Sequence, residues 1–216
     1  YEMRSYVGVP PKGEISRETQ LDLLQAYAAC VSYVDAQIGR LLAEVDLDKT
    51  VVILWSDHGW HLGEMSAWGK MTNFEIATRV PLIFAGPGVE SGRTKSLTEL
   101  VDLYPTICEI AGIDSPDHVE GESVSPILEN SALPEKNGIA RSQYARFGTR
   151  FMGYAIRTDR YRYVAWKEKK TGRIVARELY DHDSDPDDME NLAEDPAYTE
   201  TVHRLEKRMN RVGLEN

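Results

Sequence analysis

The chain has 216 residues, of which 42% are hydrophobic and 28% are charged, a composition typical of globular proteins rather than of disordered or fibrous ones. Its formal net charge is −10 at pH 7. Acidic residues concentrate around residues 181–195 while Arg and Lys are scattered, so we expect no nucleic-acid partner, because binding a phosphate backbone requires a clustered basic surface. The longest apolar run, Val51–Trp55, is far shorter than the roughly 20 residues of a transmembrane helix, so no membrane span is predicted.

A long helix is the first predicted element. Ser16 can cap it, and apolar residues then recur at spacings of three and four, which predicts one stripe that packs against another element. The run Val51–Trp55 is continuous and apolar, which is typical of a strand covered on both faces. A helix followed by such a strand favours a parallel α/β layer. Val80–Ala85 is expected to be a second short strand, which begins at Pro81 or lies near an edge because proline lacks a ladder donor. The apolar stripe of the long helix consists of Leu21, Leu24, Ala28, Val31, Val34, Ile38, Leu41, Leu42 and Val45.

Two shorter helices are predicted downstream. Asp102 is the expected N-cap of the first, with Pro105 in its first turn and Gly112 as its C-terminal cap. Ser125-Pro126 is expected to open the second. Residues 113–150 are rich in Gly, Pro, Ser, Asp and Glu, and we predict that they form a linker and boundary region.

After about residue 150 the sequence changes to short aromatic and β-branched runs separated by turn residues at hairpin spacing. The runs are Phe151–Arg157, Tyr161–Trp166 and Ile174–Tyr180, and a last helix is predicted over 199–211. We therefore predict an α/β fold, with a partial parallel-rich sheet flanked by helices followed by a smaller antiparallel sheet with a helix. The predicted domains are 1–145, an α/β core, and 146–216, a small α+β subdomain.

Two charged segments of the second half have open interpretations. Arg157, Arg160 and Arg162 alternate along a predicted hairpin and either line an anionic pocket or form an exposed sheet face, which is the favoured expectation. The acidic run 181–187 fails the pattern of a calcium-binding EF-hand loop, because Pro186 stands where the sharp turn needs Gly. A solvated turn is expected there.

Candidate chemistry concentrates in residues 55–70. Asp57 and His58 directly follow the predicted strand, and ligands gather at the carboxyl ends of strands in open α/β sheets. Gly59 then allows a sharp turn, so a carboxylate oxygen and an imidazole nitrogen can reach one cation. From the spacing alone a metal site is about as well supported as a capping Asp57 beside a hydrogen-bonded His58.

Lys70 lies twelve residues after His58, in a loop with several Gly and Trp residues. It can return to the same opening and place an ammonium against a tetrahedral oxyanion, although a lone surface lysine is more often simply solvated. His58 and His61 also invite a zinc interpretation. There is no HExxH motif, no third clustered His and no Cys partner, so zinc is not predicted.

These residues carry a resemblance to a known family. The segments Ser56–Trp60, Leu62–Glu64, Trp68–Lys70 and Arg79–Phe84 are similar, in this order, to the second half of type I sulfatases, and more to the iduronate-2-sulfatase group than to arylsulfatases. Further similar segments are Tyr33–Arg40, Asp102–Thr106, Ser142–Tyr144, Met152–Thr158 and Glu178–Asp181. Nearly the whole chain is covered. Several segments in the right order are specific, whereas Asp-His-Gly alone occurs across the wider alkaline-phosphatase superfamily.

The resemblance implies a hydrolase that cleaves sulfate esters of a sulfated sugar such as a glycosaminoglycan. It implies that Asp57 and His58 are two ligands of a divalent cation, usually Ca²⁺, although imidazole is an unusual partner for calcium. Lys70 is implied to be catalytic and to bind the sulfate, with Trp60 and His61 as further substrate-binding residues. In the family, cation and lysine neutralise the sulfate while its bridging bond breaks.

The nucleophile of the family is absent from the sequence. Sulfatases attack sulfur with a hydrated formylglycine made from Cys or Ser in a C/S-x-P-x-R segment, and neither Cys30 nor Cys108 lies in that pattern. Because Tyr1 is not an initiator, we expect a fragment or processed product whose partner is a missing N-terminal half with the nucleophile and the other metal ligands. We therefore expect this chain alone to be inactive and to bind calcium weakly. The resemblance implies a periplasmic, secreted or lysosomal location.

Two other functions stay open. A phosphoesterase or phosphonate hydrolase of the same superfamily generally carries two metals and further His ligands, whereas one Asp-His step is present here. A non-catalytic module that binds a glycan or a partner is disfavoured by the joint presence of Asp57, His58 and Lys70. If the fragment folds alone, its truncated sheet is expected to expose an apolar edge or face, so association or aggregation is expected.

Overall fold

The computed structural model describes residues 2–133 and 138–211. The chain divides into two compact units. The first unit comprises Tyr1–Met71 and Arg79–Val89, and the second comprises Thr72–Thr78 and Glu90–Asn216. The domains predicted from the sequence, 1–145 and 146–216, stay a prediction. None of the helices within the described ranges combines the length and apolar character that crossing a membrane requires.

The first unit contains a long helix and two short antiparallel strand pairs. Its helix begins as predicted, because the Ser16 hydroxyl accepts the backbone N–H of Thr19 at 3.2 Å and so satisfies a donor that the first helical turn leaves unpaired. Strand β1 (Val52–Trp55) pairs with β4 (Leu82–Ala85), and β2 (His61–Leu62) pairs with β3 (Trp68–Gly69). The long helix is α1 (Arg17–Ala43).

The described residues do not form the predicted parallel-rich sheet. Every strand pair among them is antiparallel, and β1 runs against β4 with Ile53 opposite Phe84. A continuous apolar run predicts a strand but carries no information on the direction of its neighbour. The prediction that both faces of β1 are covered is also wrong for these residues, since Leu54 and Trp55 are 38% and 46% exposed.

The apolar stripe of α1 lacks the packing that its pattern predicts. No residue of α1 is buried in the described structure. Several large apolar side chains of the helix are more than half exposed, among them Tyr33 at 67% and Leu41 at 64%. Large contiguous apolar faces of this kind usually mark a surface that another element covers.

The second unit contains a four-stranded antiparallel sheet in the order β5-β6-β7-β8. This confirms the predicted C-terminal sheet with a helix. The prediction of a linker over 113–150 is wrong at Ala140–Arg146, which forms the edge strand β5. The sequence did not predict this strand because most of its residues are polar. Gly112 ends α3 as predicted, with φ 67°. The elements are α2 (Glu75–Thr78), α3 (Leu103–Ala111), α4 (Ser125–Glu129), β5 (Ala140–Arg146), β6 (Phe151–Arg157), β7 (Tyr161–Glu168), β8 (Ile174–Asp181) and α5 (Thr199–Arg211).

The hydrophobic core of this unit lies between one face of the sheet and α5. Apolar residues of α5 recur at spacings of three and four, so a single stripe of the helix faces the sheet. Each fully buried large apolar side chain contributes about 1.5–3 kcal/mol. The buried members are Ile156, Tyr163, Ala165, Leu179, Val202, Leu205 and Met209.

The opposite face of the sheet carries a buried charge cluster around Arg162, whose side chain is 2% exposed. The Arg162 guanidinium contacts the Glu75 carboxylate and lies 3.3 Å from Asp188 Oδ2. Arg162 Nη1 also donates to the Asn73 carbonyl oxygen at 2.8 Å, and Arg157 Nε donates to Glu75 Oε2 at 3.1 Å. The expected exposed arginine face is therefore wrong at Arg162, because Glu75 and Asp188 come from parts of the chain distant in sequence.

The acidic segment 181–187 is only partly solvated. Asp181 is 1% exposed and accepts bonds of 2.7 and 2.6 Å from the Arg160 guanidinium, whereas the Asp183 side chain is 68% exposed. The hydrogen bonds from Arg160 hold the pKa of the Asp181 carboxyl below its usual value. The expected solvated turn is thus wrong at Asp181, which pairs with a guanidinium 21 residues earlier.

Candidate active site

The candidate site begins where β1 ends, in the turn that follows Trp55. Ser56 Oγ donates to the His58 carbonyl oxygen at 2.7 Å, and the His58 backbone N–H donates to Asp57 Oδ1 at 3.1 Å. These local bonds bend the backbone so that both side chains reach the same place. Asp57 Oδ2 consequently lies 3.4 Å from His58 Nε2.

The backbone holds the His58 ring in one orientation. Nδ1 lies 2.9 Å from the Gly59 carbonyl oxygen, which can only accept a hydrogen bond. Nδ1 therefore carries the proton, and a neutral imidazole keeps its lone pair on Nε2. Histidines that bind metals are commonly oriented in this way. The Trp60 ring lies beside the imidazole, with centroids 6.2 Å apart.

Lys70 reaches this turn through the hairpin of β2 and β3. The hairpin loop closes with the Gly63 N–H, which donates to the Ala67 carbonyl oxygen at 3.0 Å. Lys70 directly follows β3, and its Nζ donates to His58 Nε2 at 2.6 Å. A separation of twelve residues in the sequence thus becomes a direct contact.

The hairpin loop has an unusual backbone. Gly63 has φ 117°, a backbone conformation that strains any other residue, and a Cβ atom there would lie 3.2 Å from the Trp68 ring, which would have to shift slightly. Met65 and Ser66 follow with φ 52° and 57°, in the left-handed region that side chains other than glycine rarely adopt. The flanking strands, rather than local preference, therefore maintain this loop.

The structure brings three of the five predicted site residues together, namely Asp57, His58 and Lys70. Trp60 is partly buried beside His58, and His61 lies on β2 and is 1% exposed. The roles assigned to these five residues stay predictions.

Two supporting groups were not identified from the sequence, the Ser56 hydroxyl and the Gly59 carbonyl. The Ser56 hydroxyl leaves a weak signal, since a serine two residues before a histidine can bond its carbonyl. A backbone carbonyl leaves none, because every residue type carries one.

The donor atoms of this site fit part of a cation's coordination shell. One carboxylate and one imidazole lone pair lie together, and the Asp57 side chain is 80% exposed. Within 2–133 and 138–211, no cluster of three or more His, Cys, Asp or Glu side chains could hold a metal. Ca²⁺ takes six to eight ligands in proteins, so the remaining ligands of a calcium ion would come from elsewhere.

Comparison with known proteins places this chain in a family. The sulfatase family model matches residues 3–113. A second model, described as the C-terminal region of N-sulphoglucosamine sulphohydrolase, matches residues 63–215.

Curated relatives match over most of this chain. Iduronate 2-sulfatase of Mus musculus is 32% identical, with 90% of this chain and 48% of that protein covered. The Homo sapiens protein of the same name is 33% identical, with 86% and 46% covered. Choline-sulfatase of Rhizobium meliloti is 33% identical, with 85% and 35% covered. The chain thus spans half or less of the length of these relatives.

Solved structures share the fold. The phosphonate monoester hydrolase of Silicibacter pomeroyi superposes with a TM-score of 0.84 at 29% identity, covering 98% of this chain and 45% of that one. BT4656 in complex with its substrate D-glucosamine-2-N,6-O-disulfate gives a TM-score of 0.76 at 28% identity, covering 86% and 39%. Because the two family models together match residues 3–215, the chain belongs to the sulfatase family.

Proposed function

We propose that this chain is the C-terminal portion of an enzyme that hydrolyses a sulfate ester on a sulfated sugar. The observation that carries the proposal is the convergence of Lys70, His58 and Asp57 at the end of β1. His58 Nε2 lies 2.6 Å from Lys70 Nζ and 3.4 Å from Asp57 Oδ2. The membership of the sulfatase family and the sugar disulfate bound to a structural relative support it.

Lys70 is the group that we assign to the sulfate. Its ammonium is a compact charge with three donors, and it donates to the neutral His58 Nε2 at 2.6 Å. A sulfate oxygen is a charged and therefore stronger acceptor, so Lys70 binds it in preference. Positive charge held at this position stabilises the negative charge that develops as the ester bond breaks.

Asp57 and His58 are the residues that we assign to a divalent cation, for which we propose Ca²⁺. The Gly59 carbonyl keeps the proton on His58 Nδ1, so that Nε2 can donate its lone pair. The exposed Asp57 carboxylate supplies the oxygen ligand. When bound, such a cation polarises the sulfate and offsets its charge.

We also propose that these 216 residues alone do not turn over a sulfate ester. Cys30 is exposed on α1 and Cys108 is buried in α3, and neither lies in a C/S-x-P-x-R segment. The exposed apolar faces of α1 and β1 support a covering N-terminal half. The 48% share of the mouse relative that the chain spans supports it as well.

A second candidate function is hydrolysis of a phosphonate monoester. The TM-score of 0.84 with a phosphonate monoester hydrolase favours it. Phosphonate and sulfate esters are both tetrahedral anions, so an ammonium such as that of Lys70 binds either.

Parallel kinetics on the complete protein separate these functions. We would measure kcat/KM for an aryl sulfate and an aryl phosphonate monoester, after treatment with EDTA and after readdition of Ca²⁺. A sulfate preference of about tenfold or more that depends on Ca²⁺ supports the proposal. A phosphonate preference supports the second candidate, and no turnover of either with metal bound contradicts both. The 216-residue chain is assayed alongside, and its turnover of the sulfate would contradict the proposed inactivity.

A further inference from the structure

The exposed face of α5 is strongly basic. Five basic side chains occupy the side of the helix opposite Val202, Leu205 and Met209, which are buried against the sheet. Between residues 201 and 211 one residue is acidic, Glu206, and it pairs with Arg177 at 3.2 Å. The basic side chains line one open surface concavity and are His203, Arg204, Lys207, Arg208 and Arg211.

Among residues 2–133 and 138–211, the contacts of His203, Arg204 and Lys207 do not account for this concentration of charge. Arg208 donates to the Gly138 carbonyl oxygen at 3.0 Å, and the Arg204 guanidinium lies 6.0 Å from the Tyr161 ring. In the parts of the chain that the structure describes, no carboxylate lies within 4 Å of a basic nitrogen of His203, Arg204 or Lys207.

Helix stability does not account for the charge either. Arg208 and Arg211 lie in the last turn, where cations favour the helix dipole. Arg204 and Lys207 lie earlier and add like-charge pairs at spacings of three and four, which are mildly destabilising. A basic face on a chain of net charge −10 is therefore better explained by an external anion.

We infer that the exposed face of α5 binds a sulfated polysaccharide at a site separate from the Lys70 turn. Charge complementarity carries the inference, since Arg and Lys form strong charge-assisted hydrogen bonds with sulfate oxygens. The face extends about 12 Å along the helix axis from His203 to Arg211, long enough for sulfates on neighbouring sugar units. The choice of sulfate over phosphate rests on the proposed function.

A nucleic-acid duplex fits this surface less well. It carries about one charge per 1.7 Å of its axis. The closely spaced phosphates of a duplex are strongly repelled by the rest of a chain with a net charge of −10. A polysaccharide with fewer charges per unit length engages the basic face with less repulsion.

The test measures binding of fluorescent chondroitin sulfate to the 216-residue chain by polarisation, from 50 to 200 mM salt. The variant R204Q/K207Q/R211Q removes three cations from the α5 face. The matched control K169Q/K170Q/R173Q removes three exposed cations from the turn between β7 and β8. At about 100 mM salt we expect the α5 variant to bind at least about tenfold more weakly, with a flatter salt dependence, and the control to bind within about twofold of the unmodified chain.

Three results would overturn the inference. They are no binding by the unmodified chain at 50 mM salt, equal loss of binding in both variants, and tighter binding of a DNA duplex than of chondroitin sulfate. Thermal unfolding followed by circular dichroism checks that both variants retain the fold. Because the readout is binding and not turnover, failure here leaves the assignment of Lys70 untouched, and failure of the sulfatase assay leaves the α5 result standing.

Discussion

At the scale of single residues, one backbone carbonyl decides what His58 can do. The Gly59 oxygen, 2.9 Å from Nδ1, makes that nitrogen the donor. Nε2 is left as the acceptor, and it faces both the Lys70 ammonium and the Asp57 carboxylate. A carboxylate, an ammonium and an imidazole of fixed tautomer thus meet at the end of β1.

The role of Lys70 is tested by replacing it with alanine in the complete protein. We expect kcat/KM for a sulfate ester to fall by about 10²-fold or more, because a charge that stabilises the transition state is lost. Lys49→Ala is the matched control, since the Lys49 side chain is 82% exposed and its ammonium pairs with Asp46 at 2.8 Å. Equal activities of the two variants would remove Lys70 from the mechanism.

At the scale of elements, the hairpin of β2 and β3 places Lys70, and Gly63 is its most constrained position. Gly63→Ala should displace the loop, because φ is 117° and the added Cβ meets the Trp68 ring at 3.2 Å. We expect a loss of stability of about 1–2 kcal/mol and a fall in kcat/KM of the complete protein.

Gly39→Ala controls for the loss of a glycine as such. Gly39 lies inside α1, where a Cβ would meet nothing within 4 Å, and we expect stabilisation of about 0.5–1 kcal/mol. Urea unfolding measures both changes. The interpretation of the hairpin fails if Gly63→Ala is neutral in stability and activity.

A second element-scale feature is the charge cluster that holds α2 on the sheet. Burial alone would raise the pKa of the Glu75 carboxyl, but the guanidinium groups of Arg162 and Arg157 outweigh it, and the pKa is lowered from 4.5. Ionised Glu75 therefore stabilises the fold above about pH 4.5, and this contribution is lost as the pH falls through the lowered pKa.

Glu75→Gln should lower the free energy of unfolding by about 3 kcal/mol at pH 7, because it removes one charge partner of the buried Arg162. The difference between variant and parent should narrow as the pH falls below about 4.5. Asp183→Asn, which removes a 68% exposed partner of Arg160, should cost less than about 1 kcal/mol. Urea unfolding at several pH values measures the stability of the parent and of both variants. A stability difference between Glu75→Gln and the parent that does not change with pH would contradict the stabilising role of ionised Glu75.

At the scale of the whole molecule, the unburied apolar stripe of α1 predicts self-association of the isolated chain. Val34 and Leu41 are 52% and 64% exposed, and Val34→Gln with Leu41→Gln should shift the chain toward the monomer without lowering its stability. Phe147→Gln is the control, since Phe147 is 84% exposed in the turn between β5 and β6. Light scattering during gel filtration over a dilution series gives the mass. A chain that is monomeric at all concentrations contradicts the prediction.

The sequence by itself determined the elements whose pattern is local. The cap at Ser16, the strands β6 to β8 and the helix Thr199–Arg211 could be predicted, because capping and periodicity depend on neighbouring residues. The order of Asp57, His58 and Lys70 likewise indicated a site, and the family of the chain could be inferred from its motifs.

Only the tertiary structure decided which distant groups meet. The antiparallel pairing of β1 with β4, the burial of Arg162 against Glu75 and Asp188, and the contact of Lys70 with His58 join residues far apart in the sequence. The basic face of α5 is likewise not apparent in the sequence, because its cations are separated by other residues and come together on one side only in the helix. Whether a charge is buried, or whether an apolar stripe is covered, depends on which distant residues pack opposite it. The residues next to it in the sequence do not determine that.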